Sequence, residues 1–313
     1  MRIAILGAGA LGCAIGGTLA EAGVDVVLLS RDAPHVEAMQ QRGLTLRGPR
    51  GDRVVPVRAA SDCAGLAPVD LVVVLVKSYH TEAAIREAAP LVGPGTLVMS
   101  LQNGMGHEDV LAVTVGRDRV LGGKTYLGGV LLGPGHVIAG TAGKETVIGE
   151  LDGRISERAE RVAATFRRAG LETVVTGTIM ATIWDKLLIN VATGAVSAIS
   201  RLPYGALYRC EPLHRVALEA VGETIAVAVA AGVRLSRPDP EAAWRKAAEG
   251  LPDDFKASML QSLEQGQPTE IDFINGAVVR AGERYGVPTP VNRTLVACVK
   301  GIEQALDITR ATP

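Results

Sequence analysis

An α/β doubly wound domain followed by an all-α domain is the fold class this sequence predicts. Three observations carry it. Short apolar runs alternate with helical patterns through the first half of the chain. The first of those runs opens into a glycine-rich turn. Past residue 178 no strand pattern remains.

Residues 2–6 are a short apolar, β-branched run, and Gly7-Ala8-Gly9-Ala10-Leu11-Gly12 follows. Residues 13–22, rich in Ala, Gly and Leu, end at Gly23. This is strand, tight turn, helix, and a glycine past the helix end. Residues 24–29 read as a second strand. Residues 71–76 are apolar without a break, as expected of a strand covered by helices on both faces of a parallel sheet. A helix at 81–89, a turn at Gly93-Pro94-Gly95 and a strand at 97–101 continue the alternation. Between the second strand and 71–76, residues 44–57 read as a hairpin around Gly48-Pro49-Arg50-Gly51-Asp52. Further strands are expected at 120–130 and 137–148, separated by Gly133-Pro134-Gly135, and an amphipathic helix at 158–169 ends at Gly170. Helices are then expected at 178–200, 212–231, 240–248, 253–264, 271–285 and 290–306. The pattern places a Rossmann-type domain over 1–177 and a helical domain over 178–313.

Two domains suit 313 residues, 48% of them hydrophobic. A chain of this length buries enough surface to fold without disulfides or structural metal. With 32 basic and 33 acidic residues and no long run of one sign, nucleic acid or an anionic membrane is disfavoured as the main partner. A small anionic ligand needs only a few local cations and stays open. Aromatics are only 3%, which leaves few rings for stacking bases. Cys13, Cys63, Cys210 and Cys298 are far apart and read as neutral thiols in a reducing compartment. The five histidines show no ligand spacing, so no metal site is expected. The first apolar run is too short for a signal peptide, and the apolar stretch 216–233 carries Glu219 and Glu223, as a buried helix would. The expectation is a cytoplasmic chain without membrane spans. A homodimer through the apolar terminal helices is one reading of their composition, and a buried core is the other.

The GxGxxG turn stands between a strand and a helix, the context a dinucleotide site requires. Gly7 allows the tight turn, Gly9 the approach of a pyrophosphate, and Gly12 the packing of helix on strand. The free amides and positive end of the helix, from Ala8, Ala10 and Leu11 onward, favour phosphate charge. At the end of the second strand an NAD site usually carries a carboxylate for the ribose hydroxyls. This sequence has Ser30 and Arg31 there. Arg31 can pair bidentately with a 2′-phosphate, so NADP (NADPH) is the expected cofactor, with Asp32 as a neighbour that weakens the preference if it turns inward. Lys77 follows the 71–76 strand at its ligand edge, as an adenosine contact or a simple strand-end lysine. Asn103, in Gln102-Asn103-Gly104, is either a cofactor or substrate contact or part of a turn.

Lys186 and Asn190 are four residues apart in a helical pattern and share a face. Beside Leu187, Leu188 and Ile189, Lys186 is a candidate general acid for a carbonyl oxygen gaining charge. The alternative is a lysine that reaches water past an apolar stem. Glu270 follows Thr269, which with Asp272 resembles a capping box. Glu270 is then either a first-turn carboxylate or a partner for Lys186 or the nicotinamide ribose. Ser258 reads equally as a site residue or an ordinary helical serine.

Taken in order, these residues resemble the ketopantoate reductase family. The resemblance runs over nearly the whole chain: the GxGAxG turn, Lys77, Gln102-Asn103-Gly104-Met105-Gly106, Trp184-x-Lys186-Leu187-x-x-Asn190, Ser258-Met259-Leu260-Gln261, Thr269-Glu270-Ile271-Asp272 and Asn275-Gly276. It implies NADPH-dependent reduction of 2-dehydropantoate to (R)-pantoate, towards pantothenate and coenzyme A. It implies Lys186 as proton donor, Asn103 touching cofactor and substrate, Asn190 and Ser258 holding substrate, and Glu270 holding cofactor and ordering the site. Two positions depart from the family pattern. Gly194 stands where a second Asn is common, and Pro203-Tyr204-Gly205 where a Pro-Asn-Gly is common. Lost amides matter for a hydroxylated substrate. They leave a second reading, an NADP(H)-dependent reductase or (R)-2-hydroxy-acid dehydrogenase for another branched or aromatic 2-oxo acid.

Overall fold

A computed structural model describes residues 1–49 and 51–307. Arg50, in the expected hairpin turn, and residues 308–313, at the end of the expected helical domain, lie outside the described residues. The chain divides into two compact units. The first holds residues 1–102 and 107–179; the second holds 103–106 and the residues from 180 onward.

In the first unit the elements run β1 (Arg2–Leu6), α1 (Ala10–Glu21), β2 (Asp25–Leu29), α2 (Ala33–Arg42), β3 (Leu44–Gly48), β4 (Gly51–Val55), β5 (Arg58–Ala60), β6 (Leu71–Val74), α3 (Thr81–Glu87), β7 (Leu97–Ser100), α4 (His107–Val115) and β8 (Val120–Thr125). They continue with β9 (Gly128–Gly133), β10 (His136–Gly140), β11 (Thr146–Glu150), α5 (Glu157–Arg168) and β12 (Thr173–Val175). Eight strands form one sheet in the order β12-β11-β8-β7-β6-β1-β2-β5. From β5 to β8 every pairing is parallel, and the sequence order reverses direction beside β1. That is the doubly wound order, with its ligand edge at the carboxyl ends of the strands. Ile3, Ile5 and Leu28 face one helical layer, and Ala4, Val27 and Val72 the other, which is why these strands are apolar throughout.

β4-β3-β10-β9 form a second, smaller sheet. It packs on the far side of α1. A Cβ on Gly16 would lie 2.3 Å from Leu28 of the large sheet, and one on Gly17 2.7 Å from Leu44 of the small sheet. The helix is thin because it is clasped from both sides.

Local patterning misplaced several boundaries. The expected strand 120–130 is two strands, β8 and β9, and 137–148 is likewise β10 and β11. In each case the chain leaves one sheet for the other inside the expected strand: at Tyr126-Leu127 nothing polar marks the change, whereas between β10 and β11 residues 140–145 carry two glycines, a lysine and a glutamate, with Gly143 at φ +67°.

The second unit contains α6 (Ile179–Ser200), α7 (Tyr204–Leu207), α8 (Glu211–Ala230), α9 (Pro240–Ala248), α10 (Ser258–Glu264), α11 (Asn275–Tyr285) and α12 (Pro290–Ala305). α6 is long and apolar enough to cross a membrane, but it carries Asp185 and Lys186, and 56% of its most apolar stretch is buried inside the fold. Trp184, Leu187, Val191 and Ala195 of α6 join Val221 of α8 and Val299 of α12 in one core.

Two expected helices are shorter than their patterns. The expected helix 253–264 begins only at Ser258, because the Asp253 and Phe255 carbonyls accept from the Gly205 and Tyr204 amides at 2.8 and 2.9 Å. The expected helix 271–285 is a single tight turn, Ile271–Phe273, then a break at Ile274 (φ −108°, ψ −94°), then α11. The N-cap position of this turn falls on Glu270 rather than on Thr269, and Asp272 pairs with Lys300 at 2.9 Å.

Candidate active site

The cofactor-type residues gather at the carboxyl edge of the first unit's sheet. Gly7 has φ +106°, and a Cβ there would sit 2.4 Å from the Val76 nitrogen, so the position admits only glycine. The Gly7 and Ala8 amides both donate to the Leu29 carbonyl, at 3.0 and 2.7 Å, and so tie the turn to the end of β2. A Cβ on Gly12 would come within 2.1 Å of the Gly7 oxygen, which sets how closely α1 meets β1. Gly9 differs: nothing lies within 4 Å of its Cβ position. The backbone is bare on that side, just before the first-turn amides of Ala10, Leu11 and Gly12, which have no acceptor inside the helix. No acidic side chain stands in that turn. Open space, unpaired donors and the helix dipole fit a pyrophosphate.

At the end of β2, Asp32 turns away from this role and caps α2. Its carboxylate accepts from the His35 amide at 3.3 Å. Ser30 donates its amide to Ala60, and Arg31 is exposed. Lys77 is exposed past β6, at the same sheet edge. His80, three residues on, is held below the usual imidazole range by burial and then by the nearby Arg31 cation. Arg31 and Lys77 thus stand at the ends of β2 and β6, on the same edge of the sheet.

Behind the glycine turn lies a pair that spacing alone did not flag. The Cys13 thiol is 3.2 Å from the Ala8 carbonyl and 3.3 Å from His35 Nε2, and both residues are buried. His35 Nδ1 accepts from the Gly135 amide at 3.0 Å. Burial pushes the thiol up to about 12, so it is a neutral donor that steadies the Ala8 peptide. Its only sequence signal was a cysteine directly after Gly12.

The ends of β7 and β8 are knitted together by Gln102. Its amide donates to the Val76 carbonyl at 2.7 Å and to Thr81 at 2.8 Å, and its side-chain oxygen accepts from Ser100 at 2.9 Å. The buried Lys124 ammonium donates to the Gln102 carbonyl at 2.8 Å. Burial, and then the Lys124 cation, push His107 down to about 3, so this ring is neutral at physiological pH. Nothing in the composition around Lys124 distinguished it from a surface lysine.

The remaining predicted residues belong to the second unit. Lys186 and Asn190 are half-buried, one turn apart on α6, with Leu187 and Leu188 buried between them. The Asn190 amide nitrogen is buried and has no hydrogen-bond partner among the described residues. Ser258 is exposed at the first residue of α10. It adjoins Met259, whose methyl is the one contact that a Cβ on Gly194 would meet, at 3.5 Å. α6 and α10 thus meet at Gly194 and Met259, one residue from Ser258 and one turn from Asn190. Tyr204 is buried, with its hydroxyl 3.0 Å from the Thr193 hydroxyl and its ring against Phe255.

Asn103 is held through its own loop. Gly104 has φ +88°, and a Cβ there would lie 2.3 Å from the Phe273 carbonyl. The next amide, Met105, donates to that same carbonyl at 2.9 Å. The Asn103 loop is therefore seated on the turn that follows the half-buried Glu270. Here Asn-Gly is both a turn and a docking device.

Comparison with known proteins covers both units. The family described as Ketopantoate reductase PanE/ApbA matches residues 3–153, and Ketopantoate reductase PanE/ApbA C terminal matches residues 178–303. The 2-dehydropantoate 2-reductase of Halobacterium salinarum is 38% identical over 301 residues, covering 96% of this chain and 98% of that one. The enzyme of the same name from Archaeoglobus fulgidus is 36% identical, covering 97% and 99%. Among solved structures, a PanE/ApbA family ketopantoate reductase from Ralstonia eutropha superposes with a TM-score of 0.90 at 38% identity, over 98% of this chain and 100% of that one. D-mandelate dehydrogenase with NADH and anilino(oxo)acetate superposes at 0.92 with 26% identity, over 99% and 100%.

Proposed function

This chain belongs to the ketopantoate reductase family, and we propose that it reduces 2-dehydropantoate to (R)-pantoate with NADPH, a cytoplasmic step towards pantothenate and coenzyme A. The observation that carries the reading is the pair on α6. A buried amide donor without a partner among the described residues stands one turn from an ammonium, and a 2-oxo acid supplies the acceptors and the negative charge for both.

The bound cofactor supplies the hydride that reduces the C2 carbonyl. Lys186 then has the complementary task, giving a proton to the oxygen that gains charge. Asn190 and Ser258 orient the substrate. Asn103 touches substrate and cofactor, and Glu270 holds the nicotinamide ribose. Gly7, Ala8, Gly9, Ala10, Leu11 and Gly12 cradle the pyrophosphate, while Ser30, Arg31 and Lys77 take the adenosine end. Residues 1–177 serve as the cofactor domain and those from 178 onward as the catalytic domain.

NADPH is favoured over NADH because the carboxylate nearest the ribose position, Asp32, is engaged in capping α2. Arg31→Ala should raise the Michaelis constant for NADPH by about tenfold or more, the worth of one charge-assisted contact, and leave that for NADH nearly unchanged. Steady-state kinetics with both cofactors checks this; equal effects would remove the 2′-phosphate contact.

Gly194 and Tyr204 favour a second reading. Beside the buried Gly194 a side chain would meet the Met259 methyl in ordinary contact rather than a polar group, and the Tyr204 hydroxyl is engaged with Thr193. An apolar substrate side chain suits this better than a hydroxyl does, and the mandelate dehydrogenase fold is close. Turnover of 2-dehydropantoate against 2-oxoisovalerate and phenylglyoxylate decides between them. A clear preference for either of the latter replaces ketopantoate as substrate and keeps the reaction.

A further inference from the structure

Glu303 is on α12, 34 positions from Thr269, yet it accepts both hydrogen bonds that Thr269 can donate. The Thr269 amide is 2.7 Å and its hydroxyl 2.6 Å from Glu303 Oε1. Both residues are buried: Glu303 is 5% exposed and Thr269 is fully enclosed. A carboxylate taken out of water must be matched by donors, and this one is matched at the residue directly before Glu270. The Thr269 hydroxyl oxygen also accepts from the Ile271 amide at 3.3 Å, so the peptide carrying Glu270 is bracketed on both sides. Two residues further on, Asp272 pairs with Lys300 at 2.9 Å, and the same ammonium reaches Glu303 at 3.4 Å. The next carbonyl, Phe273, receives the Met105 amide of the Asn103 loop. One turn of α12 thereby grips the segment that presents Glu270 and seats Asn103.

We propose that Glu303 is a positioning residue, acting through Thr269 on Glu270 and through the 271–273 turn on the Asn103 loop. It touches neither substrate nor cofactor. The inference rests on the role given to Glu270 above, so its test separates the two. Turnover of the 2-oxo acid and NADPH dissociation, read by nicotinamide fluorescence, are measured for Glu303→Leu, Glu303→Gln, Glu270→Ala and the Glu303→Leu/Glu270→Ala double variant, with folding checked by circular dichroism and thermal melting.

Glu303→Gln keeps an oxygen for both Thr269 bonds and should stay within about threefold in kcat/KM, whereas Glu303→Leu should lose about tenfold or more. With Glu270 already replaced by alanine, the same leucine change should cost clearly less than in the parent, keeping only the part that passes through the Asn103 loop. Should Glu303→Leu not fold, Thr269→Val removes the hydroxyl bond and Thr269→Ser restores it, with the same pattern expected. Equal losses with and without Glu270, or glutamine as harmful as leucine, overturn the positioning role. If Glu270→Ala alone changes neither turnover nor NADPH binding, the role of Glu270 falls, and the inference with it.

Discussion

Lys186→Ala should lower kcat for the 2-oxo acid by about 10²–10⁴, the span over which a positioned general acid contributes. NADPH affinity should stay within about twofold, because the proposed role places the ammonium at the oxygen that gains charge and not at the cofactor. The residue sits where such a role is plausible in energy terms. On its helix face stand the buried Ile183 and the half-buried Ile189 and Asn190, while Leu187 and Leu188 turn to the core. Its neighbour Asp185 is engaged elsewhere, accepting from the Ser236 amide at 3.1 Å. Single-turnover kinetics together with a fluorescence titration separate chemistry from binding. A variant that turns over at the parental rate would remove Lys186 from the proton transfer.

Gly9→Ala and Gly7→Ala should behave as opposites. Gly9 has an empty Cβ position, so its alanine variant should melt within about 1 °C of the parent, since surface changes away from special features rarely matter. Its NADPH affinity should nevertheless fall at least about tenfold, because in the proposed site the new methyl would stand in the approach of the pyrophosphate. Gly7→Ala forces a left-handed backbone on alanine and drives a methyl into the backbone of Leu75 and Val76. Strain and overpacking together should cost about 3 kcal/mol or more, lowering Tm by several degrees. Thermal melts with and without NADPH read both effects. Normal NADPH binding by the Gly9 variant would mean that no ligand uses that bare face.

The glycine turn, the order of strands and helices around it and the helical second half were legible because each is written in local patterning. Gly7, Gly9 and Gly12 are distinguishable in sequence only by spacing, yet the structure shows three different steric reasons for them. What stayed hidden depends on contacts remote in sequence. The short β5 and β12, of three residues each, have no periodicity to read. α2 and α4 escaped notice because their buried stripes include polar or small residues, His35 and Ala38 in α2 and His107 and Glu108 in α4, which do not read as an apolar face. The break of the helix at Ile274 follows from Glu303 and Lys300 gripping the preceding turn, contacts made with another helix. Lys124 and Cys13 looked like any lysine or cysteine until partners 22 positions away gave them an environment. The departures at Gly194 and Tyr204 were visible as letters, but whether they open or close a site depends on Met259 and Thr193.

The helix between the two sheets bears on how the protein acquires its binding capacity. α1 carries three glycines, each worth about 1 kcal/mol against helix formation relative to alanine. Alone it would be coil, and its amides would point nowhere in particular. Only when β1 and β2 on one side and β3 on the other have closed around it would the proposed anion receptor exist. Nucleotide recognition should thus emerge late and all at once in folding, and the ligand should resist unfolding of the entire clasp rather than of a single loop.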